Sequence, residues 1–207
     1  MASRRPRGGP STRERIVDAA ARVIRTLGLA RATTKEIARE AGFSEATLYK
    51  HFRDKEDLFL HVMRERLPEL VNTLKELPSR AGQGAVRDNL EEVARRAAEF
   101  YELGTPIASS LFSDPELLAR HRETIGSDQA GPHLGNELLA AYLRAEQDLG
   151  RVRPEASPEA AASLLLGACY QRAFLMTFLG EDPFDQPPDR FAKDLVDTLL
   201  QGLSPGP

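Results

Sequence analysis

The stretch from Thr33 to Lys55, TTKEIAREAGFSEATLYKHFRDK, constrains this chain more than any other. Thr33 followed by Glu36 is a capping-box pattern, and Ile37, Ala38 and Ala41 follow it at helical spacing. Gly42 can leave a helix with a positive φ at little cost. Ser44 is a natural N-cap for a second segment, in which Leu48 and Phe52 lie four apart on one face. Two short helices joined by a turn containing glycine make a helix-turn-helix, whose second helix can enter a DNA major groove.

At about 100° per residue, turning Leu48 and Phe52 inward puts Ala46 and Lys50 nearly opposite them. Thr47 and Tyr49 fall on the flanks, with His51 nearer the core edge. Ala46 is small enough to let the helix approach base edges. Lys50 can reach guanine acceptors or a phosphate, and Thr47 can bond a base edge or touch a thymine methyl. Tyr49 and His51 can donate to phosphate oxygens, and Lys55 can pair with the backbone from the next helix. Such groups position and specify; they do no covalent chemistry.

The pattern T-x-x-x-I-A-x-x-A-G-x-S-x-x-T-L-Y-x-H-F-x-x-K resembles the DNA-binding motif of the TetR family of bacterial transcriptional regulators. It is carried by Thr33, Ile37, Ala38, Ala41, Gly42, Ser44, Thr47, Leu48, Tyr49, His51, Phe52 and Lys55, with no departure. The resemblance implies a DNA-contacting set of Thr33, Thr34, Ser44, Ala46, Thr47, Tyr49, Lys50, His51 and Lys55. It covers about the first quarter of the chain; beyond it the match is one of architecture.

Charge supports the same end of the molecule. Residues 1–55 carry 13 Lys/Arg against 6 Asp/Glu, a net +7, whereas the remainder carries 15 against 25, a net −10. A basic end on an acidic body is the electrostatic footprint of a polyanion bound at one end. The single cysteine excludes an internal disulfide framework and fits a reducing cytoplasm. The longest apolar runs fall well short of a membrane span, and the N-terminus lacks an apolar signal region. No phosphate-binding loop, metal-ligand spacing or convergent acid-base set is visible, so neither an enzyme nor a cofactor is expected.

The chain reads as all-α, in three parts: a basic disordered arm (1–10), a helix-turn-helix domain (11–55) and a helical effector-binding and dimerisation body (56–207). The arm, with Arg4, Arg5 and Arg7, is either a neutral tail or an extra phosphate or minor-groove contact. Ser11 and Glu14 cap a first helix carrying Ile16, Ala19, Ala20, Val23, Ile24 and Leu27, which stops at Gly28. Asp54 caps a helix to about Leu77 that Pro68 bends or splits; in the family the corresponding helix joins the two domains. A loop over 78–84, a fifth helix from Val86 to Tyr101 and a short apolar piece from Thr105 to Phe112 follow. Asp114-Pro115 starts another helix, residues 126–132 form a loop, and Leu134 to Leu149 form a helix closed by Gly150.

Ser157-Pro158 then caps a helix apolar nearly all round, reaching Leu179, and the last helix runs from about Pro188 to Leu203. Helices with so little polar face must be covered on more than one side. In this family the last two long helices pair into a four-helix dimer interface, which implies Leu164, Leu165, Ala168, Arg172, Leu175, Phe191, Leu195 and Leu199 as interface residues. In the family's arrangement the helices carrying Phe100, Tyr101, Phe112, Tyr142, Cys169, Tyr170, Phe174 and Phe178 converge, which implies an effector pocket suited to an apolar or amphipathic small molecule, although aromatics on helical stripes more often form core. The expectation is a homodimeric, cytoplasmic, nucleoid-associated repressor that binds double-stranded DNA at a palindromic operator and releases it on effector binding. The alternatives are an activator of the same fold or a helical protein-interaction module.

Overall fold

A computed structural model describes residues 10–27, 31–66, 68–113, 115–128 and 131–202. Among the described residues it is helical throughout, with no strand. The chain forms two compact units that meet in sequence between Leu67 and Pro68.

The first unit contains α1 (Thr12–Leu27), α2 (Thr34–Ala41), α3 (Glu45–His51) and α4 (Lys55–Arg66). The capping box expected at Ser11 is reciprocal: Ser11 N–H donates to Glu14 Oε2 at 2.7 Å, and Glu14 N–H donates to Ser11 Oγ at 3.2 Å. One stripe of α1 (Ile16, Val17, Ala19, Ala20, Val23, Ile24) is buried against Ile37, Ala38 and Ala41 of α2, Leu48 of α3 and Leu58, Phe59 and Val62 of α4. Phe52 closes this core at 1% exposure, with the His61 ring edge-on at 5.4 Å and the Arg13 guanidinium 5.4 Å from its centroid. Because α4 packs on α1, this unit extends past the expected boundary at residue 55. Gly28 and the arm at residues 1–9 lie outside the described residues.

Asp54 caps α4 as its sequence suggests, its Oδ1 accepting from Asp57 N–H at 2.7 Å. The expected long fourth helix is two helices, with Pro68 opening α5 (Pro68–Glu76). Proline at a first helical position has no donor to lose and its φ is already helical. A 3₁₀ turn, Leu77–Arg80, follows where a loop was expected, and it buries Leu77 completely.

The second unit adds α6 (Val86–Ser113), α7 (Pro115–Asp128), α8 (Leu134–Asp148), α9 (Pro158–Leu179) and α10 (Pro188–Gln201). Helix α9 packs against α6 and α8, and α10 against α6 and α9. Their shared core includes Leu74, Leu90, Val93, Leu139, Leu143, Leu165, Leu166 and Val196. Ser157 Oγ accepts from Ala160 N–H at 3.2 Å to start α9, and Gly180 ends it at φ 80°.

Three sequence expectations fail here. The fifth helix does not stop near Tyr101 but runs through Pro106 to Ser113. Thr105 and Ile107 are buried on either side of the proline, so packing offsets the one missing backbone bond. Helix α7 continues through 126–128, because one glycine costs only about 1 kcal/mol in a helix already propagating. Helix α9 is long and apolar enough, by length and composition, to cross a membrane. Ser163, Gln171, Arg172 and Thr177 interrupt its apolar runs without lowering its average below that of a span.

Candidate nucleic-acid interface

The turn between α2 and α3 is built from local bonds. Thr33 Oγ1 accepts from Glu36 N–H at 3.1 Å, fixing the start of α2. Gly42 sits at φ 76°, its N–H directed at the carbonyls of Ala38 and Arg39, and Phe43 N–H donates to Ala38 O at 2.9 Å. This is the left-handed termination that turns a chain sharply without a Cβ penalty. Arg15 of α1 clamps it, donating to Ala41 O at 3.1 Å while its guanidinium lies 4.6 Å from the Phe43 ring centroid. Sequence spacing had not singled out that arginine; its partners lie 26 and 28 residues away.

Ser44 Oγ accepts from Thr47 N–H at 3.2 Å and opens α3. Leu48 is fully buried, and Ala46, Tyr49, Lys50 and His51 are exposed. Thr47 is half-buried, its hydroxyl 3.0 Å from Ser44 Oγ. His51, expected nearer the core edge, is exposed as well. Tyr49 is 50% exposed, and its hydroxyl donates to Thr34 Oγ1 at 3.4 Å. Thr34 in turn donates to Glu45 Oε2 at 2.8 Å, a contact the spacing did not suggest. Lys55 is half-buried, with its ammonium 5.1 Å from the Phe59 ring centroid. Thr33 and Ser44 are exposed but also hold the two helix starts.

The structure thus gathers polar and cationic groups on one exposed face of α3 and holds that helix by a fully buried leucine. A short, rigid helix with a small residue, a lysine and phenolic and imidazole donors outward can lie in a groove and bond base edges and phosphates.

In the second unit, the eight aromatic and thiol candidates for a pocket divide by burial. Tyr142 and Cys169 are wholly buried in the core. Tyr142 Oη accepts from Asn89 Nδ2 at 2.9 Å, and Cys169 Sγ donates to Ala94 O at 3.5 Å. Burial pushes both up to about 12. Phe100, Tyr101 and Tyr170 form an edge-to-face chain with centroids 5.3 and 5.5 Å apart, and burial pushes the Tyr101 phenol up to about 12. Phe112, Phe174 and Phe178 are exposed, the last two stacked at 6.0 Å. A surface cleft of about 320 Å³, lined by Asn136, Glu137, Ala140, Arg144, Glu159 and Ser163, holds none of the eight.

The residues expected at a dimer interface divide similarly. Leu164 is 63% exposed, and Ala168 and Leu175 are half-buried. Phe191, Leu195 and Leu199 pack partly on the subunit's own core. Leu165 is wholly inside that core. Arg172 is buried too: it pairs with Asp182, donates to Gln186 O at 2.6 Å and lies 4.7 Å from the Phe191 ring centroid. Its Nη1 has no hydrogen-bond partner among the described residues, so the guanidinium is tied through Nη2 alone. Among the described residues, no group of three or more His, Cys, Asp or Glu could hold a metal ion.

These elements define a helix-turn-helix DNA-binding protein. The family description for bacterial regulatory proteins of the tetR family matches residues 16–62, and that for the C-terminal domain of AefR-like transcriptional repressors matches residues 110–202. The HTH-type transcriptional regulator YvkB of Bacillus subtilis is 24% identical over 196 residues, 93% of this chain and 97% of its own. Among solved structures, the fatty acid degradation regulator FadR of Bacillus halodurans aligns with a TM-score of 0.65 at 20% identity, covering 96% of this chain and 98% of FadR. FadR of B. subtilis, solved in complex with stearoyl-CoA, aligns at 0.64 and 17%, covering 92% and 98%. The chain belongs to the TetR family and is a DNA-binding transcriptional regulator.

Proposed function

We propose that this regulator is a cytoplasmic, homodimeric repressor that binds a palindromic operator and is released by an amphipathic small molecule. The exposed polar face of α3, with Lys50 and Tyr49 outward above buried Leu48, is the observation that carries the DNA reading. The match of residues 110–202 to AefR-like repressors supports repression over activation. A dimer is supported by the apolar residues that α9 leaves uncovered in a single chain, Leu164, Phe174 and Phe178, at 63, 46 and 75% exposure. Burying such a surface against a second copy aligns two recognition helices with two half-sites. The complex of B. subtilis FadR with stearoyl-CoA makes long-chain acyl thioesters the first effector class to test. Release is then a linkage: the ligand favours a dimer geometry in which the two α3 helices no longer fit successive half-sites.

The test is selection of bound sequences from a random duplex pool by the full-length protein, followed by a salt titration on the selected sequence. A palindrome whose affinity falls steeply with salt is the expected result. An acyl-CoA series should then weaken binding by about 5- to 150-fold, the usual range of such coupling. Folded dimer that enriches no sequence would overturn the operator reading.

A further inference from the structure

On a face arranged to meet a polyanion, Glu45 is an anomaly. It is the first residue of α3, exposed, and among the described residues no lysine or arginine pairs with it. Its carboxylate is nonetheless held: Oε2 accepts from Thr34 Oγ1 at 2.8 Å, and Thr34 Oγ1 accepts from Tyr49 Oη at 3.4 Å. Three residues from two helices thus fix where one unneutralised negative charge stands, beside the Ala46 gap through which α3 can approach bases.

An uncompensated carboxylate lowers affinity for every duplex, because phosphates repel it. What it can add in return is a hydrogen bond accepted from a base. Two bases offer donors in the major groove: cytosine through N4 and adenine through N6. Adenine carries the N7 acceptor beside its amino group, which repels an acceptor-only carboxylate. Cytosine carries only a C–H there. Resting on the operator reading above, we propose that Glu45 reads a cytosine at one symmetric pair of operator positions, one in each half-site. Thr34 is a positioning residue that aims the carboxylate.

The experiment repeats the duplex selection with full-length parent, Glu45→Ala, Glu45→Gln and Thr34→Ala, each checked for parental helicity and melting. In the parent, C·G should be enriched at that pair, and replacing it should cost about 5- to 150-fold in affinity. Glu45→Ala should lose preference at that pair alone, keep the rest of the palindrome and bind non-specific duplex at least as tightly as the parent, since a charge that phosphates repel is removed. Glu45→Gln should move the preference to adenine, which offers a donor and an acceptor to an amide. Thr34→Ala should blur the cytosine preference, and Thr34→Ser should restore it. If Glu45→Ala and Glu45→Gln return the parent's base frequencies at every position, Glu45 merely ties α3 to Thr34 and the proposal is overturned. A parent that enriches no palindrome removes the operator reading and this proposal together, an outcome distinct from an enriched palindrome insensitive to Glu45.

Discussion

Lys50 and Tyr49 stand outward from a helix whose inward residue is completely buried, so removing either side chain leaves the Leu48 anchor in place. Lys50→Ala should weaken operator binding by about 1–3 kcal/mol if it bonds a base. If it pairs with a phosphate instead, the salt slope should fall by about one. Tyr49→Ala should also weaken binding, and it frees Thr34 as well. Parental affinity in both variants, measured by fluorescence anisotropy on the selected duplex, would reassign the DNA face. Titration provides a second prediction at this scale. Tyr101 and Tyr142 are raised from 10.0, and Cys169 from 9.0, all to about 12 and chiefly by burial. The folded state therefore keeps protons that the unfolded chain releases near pH 9–10. Stability from these groups is complete below about pH 9 and is lost as pH rises toward 12. Denaturant midpoints should be level from pH 7 to 8.5 and lower at pH 10.5.

Elements were legible where a local cap or stop set them. Thr33, Ser44, Asp54 and Ser157 each cap the helix that follows, through bonds spanning three residues. Gly42 ends α2 at φ 76°, and a Cβ there would meet Arg15 Nη2 at an ordinary 3.5 Å. The cost of Gly42→Ala is thus backbone conformation and not crowding, about 1–2 kcal/mol. That variant should melt earlier and bind operator more weakly, because the angle between α2 and α3 passes through this residue. Unchanged melting would mean that the turn has another conformation. Pro106 shows the limit of local signals. Read locally it ends a helix, and only the burial of Thr105 and Ile107 keeps α6 continuous.

For the whole molecule, the decisive contacts join residues distant in sequence or divide faces between neighbours. The family resemblance implied Arg172 as a dimer-interface residue, and a buried charge needs a partner wherever it lies. Its partner is Asp182, beyond the end of α9, with Phe191 of α10 packed on the guanidinium. Asp182→Ala should destabilise the fold toward the low end of about 3–5 kcal/mol, since the Asp182 carboxylate is itself 24% exposed. Adding Arg172→Met should recover much of that loss by removing the unpaired charge, as read from urea unfolding. If the double variant is no more stable than Asp182→Ala, the ion pair is not what the site loses. Glu146 behaves similarly: it is fully buried, 3.2 Å from Arg151, and accepts from Gly82 N–H at 3.2 Å across 64 residues.

The sequence by itself determined the all-helical class, the caps, the helix-turn-helix and, His51 excepted, the residues that stand outward from α3. Those properties follow from periodicity and hydrogen bonds that close within four residues. Tertiary structure decided what no spacing could. It joined α4 to the first unit, carried α6 through its proline, drew Leu165, Arg172, Tyr142 and Cys169 into one subunit's interior and set Glu45 against Thr34. Each depends on which face of a helix a distant segment covers. An amphipathic stripe shows that a face will be buried, and only the packed chain shows against what.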